Sequence, residues 1–393
     1  MNTAANPPPA AKPGATHPVL SGVGAALPAR VIGNDHFLPL DATDAWIARR
    51  TGIRTRHRLG PGESLADLAE RAAREALADA GRHPHEVDHV LVCTITPDRI
   101  TPGIAPELAA RLGADGPPAL DLNAACSGFV YALDHACALI ETGRAGCVLV
   151  CAAEALSRIT DHHDRSTAVL FGDAAGAVVV TAHPTAERPV FLLGSDGRHT
   201  ELLYADRDER LLRMEGREVF EFAVDNMTEQ TRKLLGTGGI GLDDVDLFIG
   251  HQANARILLA VAAELGLPEA RVEIAVDSVG NTSSASIPHA LWQARERGRL
   301  PAGARIAMAA FGAGFVWGAG LMRWKTGRPR HDRPGSASAT YDRTHRPASD
   351  RSASGLAYDR THHPETDSYE HHRTHTHTPT AHTSDQGDTP CQR

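Results

Sequence analysis

EVDHVLVCT (Glu86–Thr94) and DVDLFIGHQ (Asp244–Gln252) are one pattern written twice. Each runs from an acidic-Val-Asp start into an apolar stretch of strand length. Two further pairs keep the same register: CSGFVYALDHA from Cys126 with SASIPHALWQA from Ser284, and GCVLV around Val148 with ARIAM around Ile306, all offset by 158 residues. Three segments in one register point to two structurally similar halves, residues 18–185 and 186–326. Around these anchors, apolar runs that read as buried strands alternate with Ala-rich helical stretches: HVLVCT, PELAARLG, ALDLNA, GFVYALDHACALIETG and CVLVCAA. The pattern predicts an α/β protein whose sheets are covered on both faces. A duplicated unit of this kind brings loops after equivalent strands together about a pseudo-twofold axis, beyond the carboxyl ends of the strands, where ligands bind.

The chain has 393 residues, 42% hydrophobic and 22% charged, with 40 Lys+Arg against 48 Asp+Glu for a net charge of −8. That excludes disorder throughout, and without a long basic run it gives no electrostatic case for nucleic acid. From Gly327 to Arg393 there is no Val, Ile, Phe, Trp or Met and a single Leu, Leu356. Nine Arg there balance nine acidic residues, so the net negative charge belongs to residues 1–326. Such a segment cannot offset its ordering entropy by apolar burial, so residues 327–393 are expected to be a disordered His/Thr/Asp-rich tail and residues 1–17 a disordered Pro/Ala-rich leader. YDRTH at Tyr341–His345 and again at Tyr358–His362 reads as low-complexity slippage. Six cysteines without a CxxC pair argue against a disulfide framework or zinc knuckle. No apolar run approaches the ~18 residues of a membrane span and no signal peptide is recognisable. The expectation is a cytoplasmic protein with no metal and no membrane partner.

Three positions carry the candidate chemistry. Cys126, in DLNAACSGF, lies where a strand gives way to small residues and then a helix. The helix N-terminus is expected to lower its pKa and supply thiolate near neutrality. The competing reading is a small buried apolar residue. His251 follows the strand VDLFIG, where a neutral imidazole can donate a hydrogen bond or move a proton, or simply be a satisfied structural residue. Asn281, in GNTSSASIP, offers an uncharged donor for a developing oxyanion, or a turn residue after Gly280. Asp173, in FGDAAGA, reads as a turn-fixing carboxylate.

Taken together, DLNAACSGF, GHQANARI and GNTSSASIPHAL resemble the Cys-His-Asn constellation of the β-ketoacyl-ACP synthase III family of the thiolase superfamily. DAWIARRTGIRTR, LFGDAAGAVVV and FGAGFVWGAGLMRW extend the resemblance over about residues 18–325. It implies a five-layered αβαβα fold from two duplicated halves, a homodimer, and acyl-CoA and malonyl-ACP as substrates with no cofactor. By the same resemblance, Cys126 takes the acyl group as a thioester. His251 and Asn281 hold the enolate formed as malonyl-ACP loses CO2, and the product is 3-oxoacyl-ACP, in fatty-acid initiation or polyketide priming. The backbone N–H groups of Cys126 and Ala313 would form the acyl-oxyanion hole; Ala313 stands where many relatives have Gly and requires a negative φ. Ala174 likewise replaces a common glycine. Trp46, Arg50 and Arg165 match positions that sandwich the CoA adenine. Asn254 matches a CoA-tunnel position and Arg256 one facing the carrier protein. Thr101 falls where some relatives carry a Phe that projects from the partner into the acyl pocket, implying room for a longer or branched primer. Two other readings stand beside this one: a non-decarboxylating acyltransferase to an alcohol or amine, for which an Asp at position 281 would be the cue, and an inactive partner subunit.

Overall fold

The structure is a computed structural model and describes residues 16–184 and 186–325. The expected tail, and the leader up to Ala15, lie outside the described residues; His17, the last residue assigned to the leader, already opens the first strand.

In chain order the first half contains β1 (His17–Ala26), β2 (Arg30–Gly33), α1 (Asp44–Thr51), β3 (Thr55–Arg58), α2 (Leu65–Ala80), β4 (His89–Cys93), α3 (Ile104–Leu112), β5 (Ala119–Leu122), α4 (Gly128–Glu141), β6 (Cys147–Ala155), α5 (Arg165–Ala168) and β7 (Asp173–His183). The second contains β8 (Val190–Ser195), β9 (Leu203–Ala205), β10 (Leu212–Met214), α6 (Gly216–Gly238), β11 (Leu247–Gly250), α7 (Ala255–Leu265), α8 (Val276–Val279), α9 (Ser286–Glu296), β12 (Arg305–Gly312) and β13 (Val316–Arg323). One sheet has the order β1-β7-β6-β4-β5 and the other β11-β12-β13-β8. Both belong to one compact unit.

The central strands of each main sheet are buried on both faces, which is why strands such as CVLVCAAEA show no polar alternation: all nine residues of β6 are buried. Successive side chains serve different layers. Val148, Val150 and Ala152 face inward, with Leu247, Ile249, Ile306 and Met308 of the other sheet, onto Phe129 and Leu133 of α4 and Ile287 and Leu291 of α9. Leu149, Cys151 and Ala153 face outward onto α2 and α3. On the far side Phe248, Ala307, Ala309 and Leu321 pack under α6 and α7. Five layers result: α2/α3, sheet, α4/α9, sheet, α6/α7.

The duplication survives at the level of hydrogen-bond register. His89 pairs with Val148 across parallel β4 and β6, and Leu247 pairs with Ile306 across parallel β11 and β12, both displaced by 158. Beyond β6 the register breaks. Cys147 pairs with Thr181 but Arg305 pairs with Arg323, so the first half carries 16 more residues between its third and fourth equivalent strands. The extra length lies in the excursion Leu156–Gly172, which includes α5.

Candidate active site

The loops after equivalent strands converge as the duplication requires. Cys126 lies in a 3-10 turn, Ala125–Ser127, that runs directly into α4. Its counterpart is Ser284 in the turn Ser283–Ala285 before α9. Both turns are bent the same way: Ala125 has φ 46° and Ser283 φ 49°, and each donates its N–H to an Asn side chain two residues back, Asn123 at 3.2 Å and Asn281 at 2.9 Å. The two turns pack on each other, and the Cys126 turn also packs on β12 and on the Ala313–Phe315 turn.

Asn281 is buried and strapped through its backbone, donating to Leu170 O at 2.9 Å and accepting from Gly172 N at 3.0 Å. With Oδ1 engaged by Ser283, the Asn281 Nδ2 group has no partner among the described residues and is presented as a donor. His251 follows β11, donating its N–H to Ala309 O at 2.8 Å. Its Nδ1 lies 2.7 Å from Ser286 Oγ, at the start of α9. Burial alone lowers the imidazole to about 4, so the ring is neutral at physiological pH. The next residue, Gln252, is wholly buried and fixes this corner. It donates to Gly250 O at 2.7 Å and Glu273 O at 3.2 Å and accepts from Ala275 N at 2.8 Å.

The Cys126 thiol departs from the expectation. Burial pushes it up to about 12, with the charge of Glu154 acting in the same direction and the Ser283 hydroxyl opposing both. Desolvation of a thiolate opposes what the helix N-terminus supplies and favours the thiol form of the free side chain. Glu154 gave no signal in the sequence. It is the penultimate residue of β6 and fully buried, accepting from Ser284 Oγ at 2.7 Å, Thr96 Oγ1 at 2.8 Å and Ile95 N at 3.1 Å, and so ties the first sheet to the second-half turn.

Ala313 follows Gly312, whose α-carbon abuts Cys126: a side chain there would lie 2.8 Å from Cys126 N. Ala313 avoids positive φ, as required; the left-handed positions fall on Gly314 (73°) and Phe315 (48°). Ala313 also packs against a buried apolar cluster of Leu156, Phe171, Leu203 and Leu212, a wall scattered over the sequence, of which Phe171 alone falls in a quoted motif, LFGDAAGAVVV.

At a second locus, the guanidinium carbons of Arg50 and Arg165 lie 4.8 and 4.3 Å from the Trp46 ring centroid. Asn254 caps α7 by accepting from Arg256 N at 2.8 Å and donates to Arg50 O at 3.1 Å, which ties it to Arg50. Gly52, with φ 78°, lets α1 close on α7; a Cβ there would fall 2.5 Å from that of Ala255. Arg256 is exposed, 5.5 Å from the Phe220 ring. Thr101 is exposed beside Ile100. Asp173 accepts from Leu59 N and Ser157 N, both at 2.8 Å, which is the turn-fixing role its position suggested. The five described cysteines are free, and no cluster of three or more metal-ligating side chains occurs among the described residues.

Comparison with known proteins gives concordant matches. Residues 120–197 match the family model for 3-oxoacyl-[acyl-carrier-protein (ACP)] synthase III, and residues 235–324 that for its C-terminal region. A beta-ketoacyl-[acyl-carrier-protein] synthase III of Rhodospirillum centenum is 46% identical over 318 residues, covering 78% of this chain and 98% of that protein. The synthase III 2 of Streptomyces coelicolor is 44% identical, covering 82% and 98%. The crystal structure of the Aquifex aeolicus 3-oxoacyl-[acyl-carrier-protein] synthase III superposes with TM-score 0.76 at 42% identity, covering 78% of this chain and all of that one. The priming β-ketosynthase of the R1128 polyketide pathway gives TM-score 0.76 at 35% identity, covering 82% and 100%.

Proposed function

The chain belongs to the 3-oxoacyl-[acyl-carrier-protein] synthase III family, and on that premise we propose that it condenses an acyl-CoA primer with malonyl-ACP to give 3-oxoacyl-ACP. Cys126 attacks the acyl-CoA carbonyl; the C–S bond to Cys126 forms, the bond to CoA breaks, and the thiol proton leaves with CoA. Malonyl-ACP then loses CO2, and the electron pair of the broken C–C bond becomes an enolate. The enolate carbon attacks the acyl-Cys carbonyl, and Cys126 departs as the leaving group. The backbone N–H groups of Cys126 and Ala313 receive the acyl oxyanion.

The observation that carries the reading is the pair of neutral donors. A buried imidazole held uncharged and a carboxamide whose oxygen is already occupied suit an enolate oxygen, and Asn281 offers no carboxylate to support His251 as a base toward a hydroxyl acceptor. This favours condensation over transfer to an alcohol or amine. Incubating the protein with acyl-CoA and malonyl-ACP tests it: the expectation is 3-oxoacyl-ACP with one CO2 per product, whereas acyl transfer to an alcohol or amine without CO2 would support the alternative.

The cluster of Trp46, Arg50 and Arg165 receives the CoA adenine, with Asn254 holding Arg50 in place, and Arg256 meets the acidic carrier protein. The acyl chain lies against Leu156, Phe171, Leu203 and Leu212. The active form is a homodimer. Supporting this, β5 ends its sheet with an unpaired edge where Leu120 is 43% exposed, and the neighbouring loop carries Ile100 at 71%. Gly103 packs this loop on Asp121 of β5, so Thr101 reaches an acyl pocket from the partner. A small Thr there implies tolerance of hexanoyl- or branched acyl-CoA over acetyl-CoA. No described helix is long and apolar enough to cross a membrane, in keeping with a cytoplasmic enzyme.

A further inference from the structure

The Ser286 hydroxyl occupies an unusual position for a helix-start serine: it faces the imidazole of His251, not solvent. Ser286 and His251 are both buried. Ser286 Oγ accepts the backbone N–H of Gln252 at 3.3 Å and lies 2.7 Å from His251 Nδ1. A hydroxyl has one hydrogen to give. No other acceptor for it occurs among the described residues, and leaving it unpaired in a dry site is costly.

We infer that Ser286 donates to His251 Nδ1 and thereby fixes the imidazole as the tautomer with hydrogen on Nε2. This makes Ser286 a positioning residue: it touches no substrate, but it decides which ring nitrogen carries the proton that the enolate will meet. The inference rests on the reading of His251 as an enolate donor. The reverse tautomer, with hydrogen on Nδ1, would turn the Nε2 lone pair toward the developing negative charge, and a misassigned tautomer is costly in other His-dependent sites. Both donors then owe their orientation to the single segment Asn281–Ser286. The Ser283 N–H occupies Asn281 Oδ1, leaving the amide outward; the Ser286 hydroxyl occupies His251 Nδ1, leaving Nε2–H outward. Gln252 closes the device, because its side chain, held by Gly250 O, Glu273 O and Ala275 N, pins the peptide whose N–H reaches Ser286.

The tautomer can be read directly in the full chain labelled with 15N-histidine, assigning His251 by its loss in His251→Ala. The expected pattern is protonated Nε2 and unprotonated Nδ1; a protonated Nδ1 overturns the inference. Kinetics supply the second measurement. Ser286→Ala should lower kcat for condensation by at least about tenfold with little change in KM for malonyl-ACP, while acylation of Cys126 by acyl-CoA stays within about twofold of wild type. Ser286→Thr, which keeps the hydroxyl, should restore condensation. Wild-type condensation by Ser286→Ala, or equal loss of both half-reactions in a folded variant, overturns the assignment. Failure of wild-type Cys126 to acylate sinks the parent reading instead, and the NMR pattern still decides the tautomer.

Discussion

Cys126 rests as a thiol, since burial holds its pKa near 12. Acylation must therefore draw on a small thiolate fraction that grows about tenfold per pH unit. The rate of Cys126 acylation should climb steadily from pH 6 to 9; a plateau near neutrality would mean that the helix N-terminus wins after all. The division of labour is tested by substitution. Cys126→Ala should abolish acyl transfer, while His251→Ala and Asn281→Ala should keep acylation and lose about 10²-fold or more in malonyl decarboxylation, the usual cost of removing an oxyanion donor. Simultaneous loss of both half-reactions in either variant would refute separate roles. Cys126 and His251 were legible because each follows a strand pattern, Asn281 because its loop leads into the helix that matches the Cys126 helix at the 158-residue offset, and the three as a set through the family resemblance. Ser286 and Glu154 were not: a serine at a helix start and a glutamate ending an apolar run look ordinary until the other half of the molecule is folded against them.

Elements place these groups through close backbone approach. Gly312 is extended (φ −160°), so any residue could adopt its backbone; what excludes a side chain is Cys126 N, 2.8 Å from where a Cβ would stand. Gly312→Ala should displace the nucleophile turn, cutting acylation at least about tenfold at a stability cost of about 1–3 kcal/mol; an unimpaired acylation rate would show that the turn yields freely. Gly52→Ala meets both a positive φ and the Cβ of Ala255, and should raise KM for acyl-CoA by loosening Arg50 and Asn254, with transacylation kinetics as the check. The strands and the duplicated halves could be read from the 158-residue offset, because a doubly covered sheet writes itself as repeated apolar runs. The excursion Leu156–Gly172 could not. It has no counterpart in the second half, and apart from Arg165, which the family resemblance set beside Trp46, its residues act through contacts distant in sequence, as Leu156 and Phe171 do in the apolar wall.

For the whole molecule, two buried neutral histidines set a pH limit. Burial lowers both His251 and His289 to about 4, His289 with added repulsion from His57 and Arg297. Between that value and the unfolded value near 6.5 the unfolded chain binds more protons, so stability falls as pH drops through this window. Buried carboxyls such as Glu154, Asp173 and Glu273, whose pKa values burial raises, act with the opposite sign. Replacing one histidine isolates its share: His289→Gln should lose less thermal stability between pH 7 and 5 than wild type, and parallel curves would contradict the assignment. The net charge of −8 adds that an acidic carrier protein must find a local basic feature such as Arg256, so salt should weaken its binding. All of this presupposes that one thiol carries the acyl group. Peptide mass spectrometry after exposure to a panel of acyl-CoAs tests that most directly. The predicted result is an acyl adduct on the Cys126 peptide alone; an unmodified Cys126, or an adduct on Cys93, Cys137, Cys147 or Cys151, would contradict it.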